Sequence, residues 1–147
     1  MWQILTRMPF SKFKYSEKLN LCECNLSLFS ETDKGLVFHW VFSPINDPRN
    51  FIPPFERNSP PNPKPSCKGF ALSFYSTKLI AKTKLLEYKA RRANVHKKIG
   101  THIAKGSVNK EDGCCDVTDN EGHFNLLEYK EKIIGNKFQI DERVLDD

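Results

Sequence analysis

The chain predicts an α+β protein: a mixed, largely antiparallel sheet with one long amphipathic helix and a long Pro-rich loop. Three observations carry this. Short aromatic and β-branched runs lie on both sides of a single long helical pattern, and strands before and after one helix are the mark of an α+β arrangement. Eight of the nine prolines fall within residues 43–68. The 147 residues, with eleven Phe and two Trp, suit one domain spanning 1–147. A domain of that size buries roughly 70% of its unfolded surface, so it needs no staples.

Residues 1–35 have no clean overall period. Within them, in "LCECNLSLFS", Cys22, Cys24, Leu26 and Leu28 form an alternating apolar set, which predicts a strand. "SETDKG" then predicts a turn into a hairpin. "LVFHWVF", residues 36–42, is the clearest strand: it is β-branched and aromatic on both faces, so it should be central and buried. Only His39 interrupts it. Proline fixes φ and removes a donor, so residues 43–68 hold neither helix nor central strand. A connection this long is usually a lid or binding loop, or else disordered; Phe51, Ile52 and Phe55 suggest that part of it packs down. "GFALSFY", residues 69–75, is the next strand, and Ser76 or Thr77 caps a helix over residues 77–99. Leu79, Thr83, Leu86, Ala90 and Ala93 share a stripe, widened by Ile80, so Leu79, Leu86 and Ala90 should face the sheet. Gly100 ends the helix. "THIAKGSV", "HFNLLEY" and "KFQI" are three short strands, and "NKEDGCCDVTDNEG" is a polar loop between the first two.

No run of about 18 apolar residues exists, which excludes a membrane-spanning helix. The N-terminus lacks a leader pattern. Five cysteines, two of them adjacent, predict reduced thiols in a cytoplasmic protein. Cys114, Cys115, His102 and His123 are zinc-ligand types at the wrong spacing, so no metal is expected. Asp112, Asp116, Asp119 and Glu121 lack the spacing of a calcium loop. Acidic neighbours raise a thiol pKa, which disfavours a cysteine nucleophile here.

The net charge of +5 hides an asymmetry. Residues 77–100 carry eight Lys/Arg and one Glu, and residues 111–147 carry eleven acids and four bases. Lys89, Arg91, Arg92, Lys97 and Lys98, with His96, have the character of a surface that tracks a phosphate backbone. This predicts a non-catalytic binding module for nucleic acid or an acidic protein partner; the plain alternative is a solvated helix face.

The leading functional expectation, to which the binding module is the alternative, comes from the order of polar residues on the strands. His39 lies in the first core strand, Ser73, Tyr75, Ser76 and Thr77 at the end of the next, and His123 and Glu128 on a later one. Over about residues 36–130 this order resembles the ADP-ribosyltransferase fold family, including its compact bacterial members. The resemblance implies that His39 contacts the ribose of NAD. Ser73 with Tyr75 or Ser76 would line the nicotinamide pocket. Glu128 would stabilise the oxocarbenium-like centre, where a fixed carboxylate is preorganised stabilisation. His123 completes the candidate catalytic set. NAD would be a substrate rather than a tightly bound cofactor, in a toxin or defence-type factor. Strand alternation puts Glu128 on one face with Phe124 and Leu126, with His123 pointing the other way. The pattern "VFHWVF … ALSFYS … GTHIAKG … GHF" is also similar to that of small bacterial proteins and implies no mechanism.

Overall fold

The computed structural model describes residues 10–21, 25–57 and 67–146. Six strands form one sheet: β1 (Gly35–Val41), β2 (Leu72–Tyr75), β3 (His102–Val108), β4 (Gly113–Cys115), β5 (His123–Glu128) and β6 (Gln139–Arg143). Their spatial order is β4-β5-β2-β1-β3-β6, and every pairing is antiparallel. The helices are α1 (Ser16–Leu21), α2 (Pro54–Arg57), α3 (Lys78–Arg91) and α4 (Val95–Lys98). The α+β class is as the sequence predicts, and α3 is the one long helix among the described residues.

β1 is central because both of its faces find partners. On one face Phe38 sits opposite Tyr75 and Trp40 opposite Ile103. α3 and α4 cover this face through the buried Ala81, Leu85 and Val95. On the other face Val37, Val41, Phe74, Phe124 and Leu126 form the main core, closed by Ile134, Phe138 and Phe51. The N-terminal segment adds a third cluster, in which Phe13 and Leu19 pack on Leu127 and Cys114. No helix among the described residues is long and apolar enough to cross a membrane.

Four expectations need correction. The helix over 77–99 is two helices: Arg92 leaves helical geometry at φ −136°, and Val95 N donates to Arg92 O at 3.1 Å. Past Tyr88 the inward positions of α3 would be filled by Lys and Arg. The break re-aims the chain so that Val95 is buried instead. The stripe is also different. Ala81 and Leu85 are fully buried, whereas Leu79 and Leu86 are 74% and 49% exposed. The sheet presents a bulky indole, and Trp40 Nε1 donates to Ala81 O at 2.8 Å. A small residue has to face it, which rotates the larger leucines outward.

Third, residues 113–115 are an edge strand, not loop. Asp112 Oδ2 accepts from Asn109 N at 2.8 Å and tightens the turn that delivers both cysteines to β5. Fourth, residues 26–28 form a 3-10 turn rather than a strand, and Cys22 and Cys24 lie outside the described residues. Asn25 Oδ1 accepts from Ser27 N at 3.1 Å, the local bond by which Asn competes with a sheet ladder. Thr77 is the cap of α3, its Oγ1 accepting from Ile80 N at 3.2 Å. Gly100 stands where a Cβ would lie 2.5 Å from Val41 O, so the chain can re-enter the sheet only with glycine there.

Candidate functional site

A cavity of about 400 Å³ lies where the end of β1 meets the start of β2, roofed by residues 49–57 and walled by α4. The Pro-rich segment is fixed over it at defined points. Among the described residues it is irregular except for the single turn of α2 and the start of a 3-10 turn over Cys67–Phe70, as its prolines require. Asn50 is buried and ties the loop down: Phe42 N donates to its Oδ1 at 2.7 Å, and its Nδ2 donates to Phe42 O at 2.9 Å and Ile45 O at 3.0 Å. Phe51 has φ +60°, an uncommon conformation for a bulky residue and a local strain. The strain is held in place by the ring, which stacks on His39 at 4.8 Å. Phe55 lies against Gly69, where an added Cβ would come within 2.2 Å of the ring. It meets Phe70 edge-on at 5.4 Å.

His39 forms part of the wall. Its Nδ1 is 2.6 Å from Ser73 O. A carbonyl only accepts, so Nδ1 carries the proton and Nε2 keeps a lone pair. Rings pack on both sides of the imidazole, Phe51 on one and Phe74 at 4.9 Å on the other. Burial is the main cause that lowers its pKa to about 4, opposed by the Ser73 bond and reinforced by the positive charge of Arg57. The ring is therefore neutral near pH 7.

Among the described residues none that lines the cavity is acidic, while Arg49, Arg57, Arg92 and Lys98 all line it. Arg49 is already engaged: it forks onto Asp47 and lies 3.6 Å over the Phe42 ring. Arg57 is not. One of its terminal nitrogens donates to Lys98 O at 3.0 Å. Its Nε is buried with no acceptor among the described residues. Burial, then the charge of Arg49, lowers its pKa from the usual arginine value. At the cavity mouth and beyond it, Arg91, Arg92, Lys97 and Lys98 are exposed and Lys89 is half-buried. Among the described residues none of these five has a carboxylate partner. By contrast Lys78, Lys82 and Lys84 near the start of α3 pair with Asp141, Glu142 and Glu121.

The residues singled out from the sequence divide among three places. His39 and Ser73 share the cavity wall. Tyr75 and His123 meet ring to ring at 5.2 Å in a shallow depression beside Lys84, Glu87 and Tyr88. Burial lowers the pKa of His123, which the Asp119 carboxylate opposes. Ser76 is exposed, its amide bound to Gly122 O at 2.8 Å. Glu128 lines a third depression between residues 45–51 and 133–138. Its carboxylate meets Lys14 Nζ at 2.9 Å and accepts from Ile134 N at 2.7 Å. Burial still raises its pKa. Phe124 pairs with Phe74, the ring beside His39. Glu128 is four residues further along β5, about 13 Å at strand rise. The arrangement thus joins His39 with Ser73 and leaves Glu128 and His123 elsewhere.

The cysteines differ from the expectation of five reduced thiols. Cys67 is disulfide-bonded, and an odd count of five leaves room for such a pair. Cys114 and Cys115 are free and buried. Burial pushes Cys115 up to about 12, which makes it a poor nucleophile. No group of three or more His, Cys, Asp or Glu among the described residues is placed to hold a metal ion.

Trp40, Asn50 and Arg57 are cavity residues that sequence reasoning passed over. A signal was available: Arg49 and Arg57 bracket Phe51 and Phe55, a basic and aromatic interleaving masked by the surrounding prolines. No protein-family model, curated protein or solved structure matches the chain.

Proposed function

We propose that this protein is a non-catalytic binding module for single-stranded nucleic acid, using the cationic pole formed by the end of α3, the link after it and α4. One observation carries this reading: Arg91, Arg92, Lys97 and Lys98 are exposed without carboxylate partners among the described residues, whereas the lysines at the start of the same helix are paired. A phosphate backbone offers such a surface repeated anionic partners and gains affinity by counterion release. The aromatic cavity beside the pole favours nucleic acid over an acidic protein, because unpaired bases stack on such rings.

The NAD-cleaving transferase reading ranks behind it. A carboxylate that stabilises a ribosyl cation has to stand beside the ribose contact, and Glu128 is held by Lys14 and Ile134 in a different depression from His39. The disulfide at Cys67 favours an oxidising compartment over the reducing cytoplasm.

Fluorescence anisotropy with a labelled single-stranded oligonucleotide tests the proposal. Four phosphate contacts predict a salt slope of about −3, so affinity should weaken roughly 50-fold between 50 and 200 mM salt. Replacing Arg91, Arg92, Lys97 and Lys98 by Ala should flatten that slope. Salt-independent binding, or an unaltered slope in the fourfold variant, overturns it.

A further inference from the structure

We infer that the cavity beneath residues 49–57 is a site for one nucleoside monophosphate unit, with its phosphate on Arg57 and its ring among Trp40, Phe51 and Phe55. This deepens the nucleic-acid reading and rests on it for the strand as the source of the nucleotide.

Size sets the first limit. Ligand pockets run from about 300 to 1,000 Å³. A cavity of about 400 Å³ accepts a mononucleotide and is small for a whole dinucleotide. Chemistry sets the second. The guanidinium of Arg57 is partly stripped of water, and its Nε donor is unfilled. A buried donor without an acceptor is costly, so an anion that accepts from it relieves a penalty the free protein carries. Among the described residues no lining carboxylate competes for that arginine, and His39 is neutral, so the wall adds no repulsion. A purely apolar ligand would leave the donor unfilled, and inorganic phosphate alone would leave the rings uncovered.

The rings are held ready. Trp40 is fixed by its bond to Ala81 O, Phe55 by its seat on Gly69, and Phe51 by a strained backbone that aims it at the wall. Strain of this kind persists where the surrounding structure over-determines it, commonly at ligand sites. Arg92 and Lys98 belong both to the cavity wall and to the exposed pole. The cavity and the backbone-tracking surface are therefore continuous. A strand lying on the pole can place an end nucleotide inside without crossing an acidic barrier.

The test is isothermal titration of the full chain with AMP, UMP, adenosine and inorganic phosphate, alongside anisotropy with 5′-phosphorylated and 5′-hydroxyl oligonucleotides. AMP and UMP should bind, adenosine and phosphate at least tenfold more weakly. Arg57→Met should lower AMP affinity at least tenfold while leaving that for adenosine unchanged. If Arg57→Met fails to fold, Arg57→Lys should retain AMP binding and Arg92→Ala should reduce it. A tenfold gain from the 5′-phosphate, lost in the Arg57 variant, identifies a strand end as the ligand. AMP binding without that gain identifies the free nucleotide, and either outcome supports the site. Oligonucleotide binding with the predicted salt slope but no AMP or UMP binding overturns the cavity site and leaves the nucleic-acid module standing. AMP binding with no oligonucleotide binding overturns the module and leaves the site. AMP binding insensitive to Arg57→Met or, where that variant fails to fold, to Arg92→Ala, overturns the site as drawn.

Discussion

The two ends of the helical layer are made of the same residue types and are settled differently. At its start, α3 is anchored: Ala81 and Leu85 are buried against the sheet, and Lys78 reaches Asp141 at 3.0 Å and Glu142 at 3.3 Å. At its end, the chain bends at Arg92 and overhangs a cavity, with its cations facing water. Exposed ion pairs contribute little to stability, so the paired lysines do not explain why the fold holds. What they show is that the acidic C-terminal region pairs with only three of the eight cations of the basic run. The other five have no carboxylate partner among the described residues.

That contrast can be broken at several points. The largest effect on folding belongs to the anchored end: Leu85→Ala should cost about 2 to 5 kcal/mol in urea denaturation, and Leu86→Ala less than about 0.5 kcal/mol. Equal costs would mean that α3 docks by its other stripe. The cavity wall predicts a pH effect. Folded His39 titrates near 4 against 6.5 for an ordinary histidine, so below pH 6.5 the unfolded chain takes up a proton that the native ring refuses. Stability from this group is full above about pH 6.5 and is lost as pH falls toward 4, by roughly 3 kcal/mol as an upper bound. A His39→Phe variant should lose that dependence, and a variant that keeps it would show that the dependence comes from another group.

Glu128→Gln comes next. The amide oxygen can still accept from Ile134 N, and burial already disfavours the carboxylate, so unfolding should shift by less than about 1 kcal/mol. An NAD-cleaving activity that fell by about 10²–10³ in this variant would return the transferase reading to first place. The smallest effect is expected at the paired lysines. Replacing Lys78, Lys82 and Lys84 together by Ala should leave oligonucleotide affinity nearly unchanged. A loss as large as that from the pole variant would erase the distinction between the two ends.

Strand positions were legible where side-chain pattern alone decides them. "LVFHWVF" has no polar face to offer water and could only be central. The alternation that puts Glu128 with Phe124 and Leu126 is what the register requires. The docking stripe of α3 was not legible, because the helix carries apolar residues in several directions and the choice between them is made by Trp40 from another strand. The edge strand β4 depends on the turn that the Asp112 carboxylate closes on the amide of Asn109, a bond invisible to periodicity. The cavity was hidden for a similar reason. Its parts come from four separated stretches, and its defining feature is an unfilled donor on Arg57, which exists only once Lys98 and Phe55 have been brought beside it.

The central place of β1 has a consequence for how the chain assembles. Its neighbours are β2 and β3, and β3 begins only at His102. During synthesis the middle strand is made first and waits for both of its partners, and β6, made last, closes an edge. A sheet built on such distant pairings has high contact order and folds on the order of milliseconds to seconds. Until residue 108 has left the ribosome, the aromatic run of β1 has only one side of its ladder to join.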